Sequence, residues 1–152
     1  MENSKLKDII NFAIEKEIEA SEFYNSASKK IKTDLNLKKT FEEYAIEELK
    51  HKKFLEDFLE GDIHDFSIPN VADYHVSETA EKPKLSTDMK FVDAVTLAMK
   101  NEEEAMNMYL KLAKACLNIQ QKKLFSELAK MEEVHKVRLE EIYTNAAYAE
   151  VW

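Results

Sequence analysis

Glu47-Glu48-Leu49-Lys50-His51 and Glu132-Glu133-Val134-His135 each contain Glu-x-x-His. Residues three apart on a helix lie on one face, about one turn along. Each segment therefore aims a carboxylate and an imidazole at the same point. One such segment in a Glu-rich chain is most simply a solvated helix face. Two of them, at matching places in two halves of one chain, indicate segments brought together around a pair of metal ions.

The halves match well beyond these segments. Ala13 to Tyr24 lines up with Ala98 to Tyr109, and Phe41 to Leu55 with Phe125 to Leu139. Each half carries two helical stripes with three- and four-residue steps. The first is Ile10, Ala13, Ile14, Glu17, Ala20, Ser21 and Tyr24. The second is Phe41, Tyr44, Ala45, Glu48, Lys52 and Leu55, with His51 beside it. The third is Phe91, Val95, Ala98, Glu102, Ala105, Tyr109 and Leu112, with Cys116 just after. The fourth is Phe125, Leu128, Ala129, Glu132, His135, Leu139 and Ile142. Helices are expected near 4–32, 35–60, 88–116 and 119–144, with no strand. Their N-caps are expected at Asn3 or Ser4, at Asp34, at Ser86 or Thr87, and at Asn118, where Gln121 would complete a capping box. Gly61 is expected just past the end of the second helix.

Between about 62 and 86 the periodicity vanishes, and Pro69 and Pro83 appear. A second helix of that length spans about 40 Å, and a third helix parallel to it needs a connection that long. Roughly 25 extended residues reach easily. Ile63, Phe66, Ile68, Val71, Tyr74 and Leu85 give this crossover enough apolar area to pack along the bundle. The expected fold is all-α: a ferritin-like four-helix bundle of two duplicated hairpins joined by a long crossover. Residues 1–152 are expected to form one such domain.

Composition agrees. One Gly and two Pro argue against a turn-rich β protein. A net charge of −8 makes nucleic acid a poor partner. No apolar run is long enough to cross a membrane, and Met1-Glu2-Asn3-Ser4 shows no signal-peptide pattern, so a cytoplasmic location is expected. The lone Cys116 excludes an internal disulfide and a four-cysteine metal site.

Each stripe carries one Glu where an apolar residue is expected: Glu17, Glu48, Glu102 and Glu132. Two stripes add His51 and His135. Four carboxylates buried without a partner would be very costly. Two divalent cations balance four negative charges. Carboxylate and imidazole donors suit iron or manganese, so the expected cofactor is two iron ions, with manganese or a mixed pair as the alternative. Glu19, Glu22, Glu47, Glu103, Glu104 and Glu133 are taken as surface charges. Tyr24 and Tyr109 each follow an inward Glu by two turns. They are either aromatic core with a satisfied hydroxyl or hydrogen-bond donors to a ligand carboxylate. His64 and His75 lack a Glu three residues earlier and are expected to be loop histidines.

The four motifs in order, Glu17-x6-Tyr24, Glu48-x2-His51, Glu102-x6-Tyr109 and Glu132-x2-His135, resemble the di-iron domain of the rubrerythrin family, over about residues 4 to 143. The resemblance implies reduction of hydrogen peroxide, with ferrous oxidation as a related activity. It also implies Glu48 and Glu132 as bridges, Glu17 and Glu102 as terminal ligands, and one His on each ion. Two departures stand out. Rubrerythrins carry a rubredoxin-like domain with four cysteines that this sequence lacks, so electrons would come from an external donor such as a rubredoxin-like protein. They also place an extra carboxylate where this chain has Ala105, which leaves a set similar to the ferroxidase centre of bacterioferritins. The competing expectations are therefore a peroxide-reducing enzyme, a ferroxidase or iron-binding protein using oxygen or peroxide, and a bundle with a vestigial site acting in protein interaction. A homodimer is compatible with the sequence.

Overall fold

The structure is a computed structural model that describes residues 2–61 and 90–146. Among them are four helices and no strand: α1 (Glu2–Lys30), α2 (Leu35–Glu60), α3 (Phe91–Ala115) and α4 (Ile119–Ala146). The expected crossover, with Tyr74, His64 and His75, lies outside the described residues, as does the C-terminal tail from 147.

The inward faces are the four stripes, and they pack into two apolar clusters. One joins Leu6, Ile10 and Ala13 of α1 to Leu55 of α2, Tyr109 and Leu112 of α3, and Phe125 and Leu128 of α4. The other joins Tyr24 and Ile31 of α1 to Leu37 and Phe41 of α2, Phe91 and Val95 of α3, and Leu139 and Ile142 of α4. The start of α1 thus shares an end of the bundle with the ends of α2 and α3 and the start of α4. The helices run up, down, down, up. The end of α2 and the start of α3 lie at opposite ends, as a long crossover requires.

Local chemistry sets the boundaries. The Asp34 side chain accepts from the Leu37 N–H at 3.0 Å and caps α2. Asn118 Oδ1 caps α4 by accepting from the N–H groups of Gln120 and Gln121, at 2.8 and 3.1 Å. Four expectations change. Helix α1 begins at Glu2, ahead of both Asn3 and Ser4, so neither is its N-cap. It stops at Lys30 rather than Lys32, where Ile31 N–H turns back to Ser28 O and the Lys38 ammonium of α2 donates to the same carbonyl. Helix α3 begins later than Ser86 or Thr87 allow. Its N-cap is Lys90, which has no side-chain acceptor, so the Lys90 carbonyl alone receives the N–H groups of Asp93 and Ala94. Gly61 ends α2 in extended backbone, at φ −83°, and not in the left-handed conformation of a glycine C′ residue.

Asp34→Ala removes the acceptor for one orphan N–H of α2. The expected loss is about 1 kcal/mol of unfolding free energy, read from the midpoint of a urea melt.

Candidate metal centre

Between the two apolar clusters lies one polar layer. Glu17, Glu48, His51, Glu102, Glu132 and His135 all reach it, and each is at most 3 % exposed. Helical spacing puts them there, since each occupies an apolar position of its stripe. His51 lies fully inside. Lys52, expected on the stripe, sits at the rim and pairs with Glu56. The only other buried polar residues among those described are Ser21, whose hydroxyl donates to Ala45 O, and Ser28, whose hydroxyl donates to Asn25 O. Among the described residues no Lys or Arg is buried with the carboxylates, so none of them offers a permanent positive charge to offset the layer.

Donor atoms crowd together at coordination distances. His51 Nδ1 lies 2.7 Å from Glu132 Oε1, 3.0 Å from Glu17 Oε2 and 3.4 Å from Glu48 Oε1. His135 Nδ1 lies 3.0 Å from Glu48 Oε1 and 3.6 Å from Glu102 Oε1. An ion with donors about 2.1 Å away separates neighbouring donors by about 3.0 Å in an octahedron. The side chains form two sets able to hold an ion each: Glu17, Glu48, His51 and Glu132, and Glu48, Glu102, Glu132 and His135. Glu48 and Glu132 belong to both. Glu17 Oε2, both Glu48 oxygens, Glu102 Oε2, Glu132 Oε1 and both Nδ1 atoms are buried without a hydrogen-bond partner among the described residues. Buried polar atoms are normally satisfied. A cation at each set would satisfy these.

The tyrosines work across the duplication. The Tyr24 hydroxyl on α1 donates to Glu102 Oε1 on α3 at 2.6 Å. Tyr109 on α3 faces Glu17 on α1, where it works to lower the Glu17 pKa, but its hydroxyl closes no well-formed hydrogen bond. Of the two readings offered by the sequence, Tyr24 follows the donor one. One residue taken as a surface charge stays half-exposed but also reaches a buried ring. Glu47 Oε2 lies 3.0 Å from His135 Nε2. Tyr44 stacks on the same ring, with centroids 4.0 Å apart and planes at 22°. Nothing in the periodicity distinguishes Glu47 from its solvated neighbours. The one available signal was the need of a ligand imidazole for an acceptor on its outer nitrogen.

A family model described as Rubrerythrin matches residues 8–143. The chain belongs to the rubrerythrin family. No curated protein matches it. Among solved structures, this rubrerythrin-family chain is similar to a hypothetical protein of Pyrococcus furiosus, with 27% identity, TM-score 0.71, and 97% of this chain and 93% of that one covered. A Thermotoga maritima protein described as ferritin-like and diiron-carboxylate gives 20%, 0.72, and 96% and 97%. A dodecameric thioferritin of Bacteroides fragilis, described as bacterioferritin-related, gives 22%, 0.73, and 97% and 89%. The last two likenesses confirm the ferritin-like fold.

Without metal, protons hold the charge in check. Burial, reinforced by Glu102, pushes Glu17, Glu48 and Glu132 well above the ordinary 4.5. Burial also acts to raise Glu102, but His135, Glu132 and Tyr24 outweigh it and bring that carboxyl below the ordinary value. Burial lowers His51. It acts to lower His135 too, but Glu102 and Glu48 overturn this and raise that imidazole to about 11. A raised group binds its proton more tightly in the folded chain, so the stability it lends at low pH is lost as pH rises through the raised value. The two lowered groups change in the other sense and have finished titrating by about pH 7. Chelator-treated protein is therefore expected to lose thermal stability between about pH 7 and 9. Saturating divalent metal, which displaces the protons, should remove that slope. A Tm of chelated protein that is flat or rises across this window would contradict the account.

Proposed function

We propose that this protein is a non-haem di-iron carboxylate enzyme that reduces hydrogen peroxide with electrons from an external donor. The observation that carries the reading is the set of four buried carboxylates and two imidazoles with orphaned donor atoms and, among the described residues, no buried Lys or Arg. Glu48 and Glu132, which belong to both donor sets, would serve both ions, while Glu17 with His51 and Glu102 with His135 would each serve one. Two ferrous ions held there would supply one electron each, which matches the two-electron reduction of peroxide to water. With two divalent ions the layer is neutral, so an uncharged peroxide molecule meets no electrostatic penalty on approach. Tyr24 holds Glu102 by donating to it, and the apolar clusters on either side keep the layer dry. The electrons would come from a rubredoxin-like protein.

A second reading is ferroxidase or iron handling without peroxide turnover. It is favoured by Ala105, which packs against an apolar cluster where rubrerythrins carry an extra carboxylate.

Glu132→Ala removes a proposed bridge and should lower metal stoichiometry, measured on anaerobically loaded protein. Glu133→Ala, on the exposed side of the same helix, should leave it unchanged. Equal loading of parent and Glu132→Ala would overturn the ligand assignment. In single-turnover stopped flow, the diferrous protein should be oxidised faster by peroxide than by oxygen, and should turn over with a rubredoxin-like donor. Oxygen acting as fast as peroxide, with no donor turnover, would select the ferroxidase reading.

A further inference from the structure

The two halves of the centre descend from one repeated hairpin, yet their imidazoles have different surroundings. On the His135 side, Glu47 faces Nε2 at 3.0 Å and Tyr44 stacks on the ring. Both belong to α2. In the repeat, Phe41 to Leu55 lines up with Phe125 to Leu139, so the counterparts on α4 are Leu128 for Tyr44 and Met131 for Glu47. Neither can accept a strong hydrogen bond from an imidazole. Among the described residues, the carboxylates near His51 are Glu17, Glu48 and Glu132, and all approach Nδ1.

We infer that Glu47 is a positioning residue for His135, and that it makes the two metal positions unequal: the His135 position fills first and the His51 position second. The inference rests on reading the six residues as a metal centre. To offer Nδ1 to a cation, an imidazole must carry its hydrogen on Nε2. Glu47 accepts that hydrogen, which fixes the tautomer, holds the ring plane together with Tyr44, and strengthens Nδ1 as a donor. Partners of this kind are worth about 10–100-fold in metal affinity. The ring at His51 has no such carboxylate among the described residues. Glu47 is half-exposed, so replacing it leaves no buried charge behind and should not unfold the protein.

The test is anaerobic titration of the metal-free full chain with cobalt(II), followed by calorimetry and by visible absorption. The parent should show two steps of different affinity. Glu47→Leu should weaken the tighter step by about 10–100-fold and leave the weaker one in place. Met131→Glu should tighten the weaker step. Nitrogen NMR of the zinc-loaded protein should show the His135 Nε2–H protected from solvent exchange in the parent and exchanging rapidly in Glu47→Leu, a change that mere loss of surface charge does not produce. Glu133→Gln removes the same charge from a neighbouring exposed position and should leave both steps unchanged. Two equal steps in the parent, or equal weakening of both steps by Glu47→Leu, overturns the inference and leaves the metal reading intact. Absence of any cobalt binding overturns both.

Discussion

Four carboxylates meet at one level in the dry middle of this bundle, and every other feature of the structure has to accommodate that. Two like charges 4 Å apart repel by about 4 kcal/mol at an effective dielectric of 20, so four ionised groups together cost on the order of 20 kcal/mol. A domain of this size has only about 5–15 kcal/mol of net stability. The carboxylates therefore cannot all ionise without compensation. Compensation comes from protons or from cations, because no Lys or Arg among the described residues is buried with them. The raised carboxyl groups and the cationic His135 describe the proton solution. The two overlapping donor sets describe the metal one.

The duplicated hairpin makes this layer cheap to build. Each half contributes two stripes, and each stripe needs one substitution of Glu for an apolar residue. The same repeat fixes the two tyrosines. Tyr24 reaches across to Glu102 on the other hairpin and ties the halves together at the site. Each tyrosine belongs to a different apolar cluster, so both clusters border the polar layer with an aromatic ring that carries a hydroxyl inward. The apolar clusters hold the helices at a fixed spacing, and that spacing sets the donor distances.

Most of this was legible because helix period and residue type disagree at so few places. A Glu inside an apolar stripe is a visible contradiction, and it occurred once per stripe. Glu17, Glu48, Glu102 and Glu132 stand out in this way, His51 and His135 through Glu-x-x-His, and the six side chains lie in one layer. Features that depend on neighbours from other helices were not legible. Glu47 has the spacing of a surface residue and acquires its role only because His135 of α4 turns Nε2 toward it. The stop of α1 depends on Lys38, which reaches back from α2 to Ser28 O. The start of α3 at Lys90 follows no side-chain cap, so no cap residue could announce it.

Ala105 connects the apolar packing to the charge balance. One turn past Glu102 on α3, it lies against the cluster that includes Tyr109. A carboxylate there would join the layer as a fifth negative charge, and two divalent ions would no longer neutralise it. With alanine, two divalent ions would balance the four carboxylates, and the same methyl group extends the apolar wall beside the site. One difference between the halves lies outside the inner donor set, in Glu47 and Tyr44 against Met131 and Leu128. A symmetric inner layer with unequal supports lets one sequence repeat provide matching donors while the two imidazoles differ in how firmly they are held.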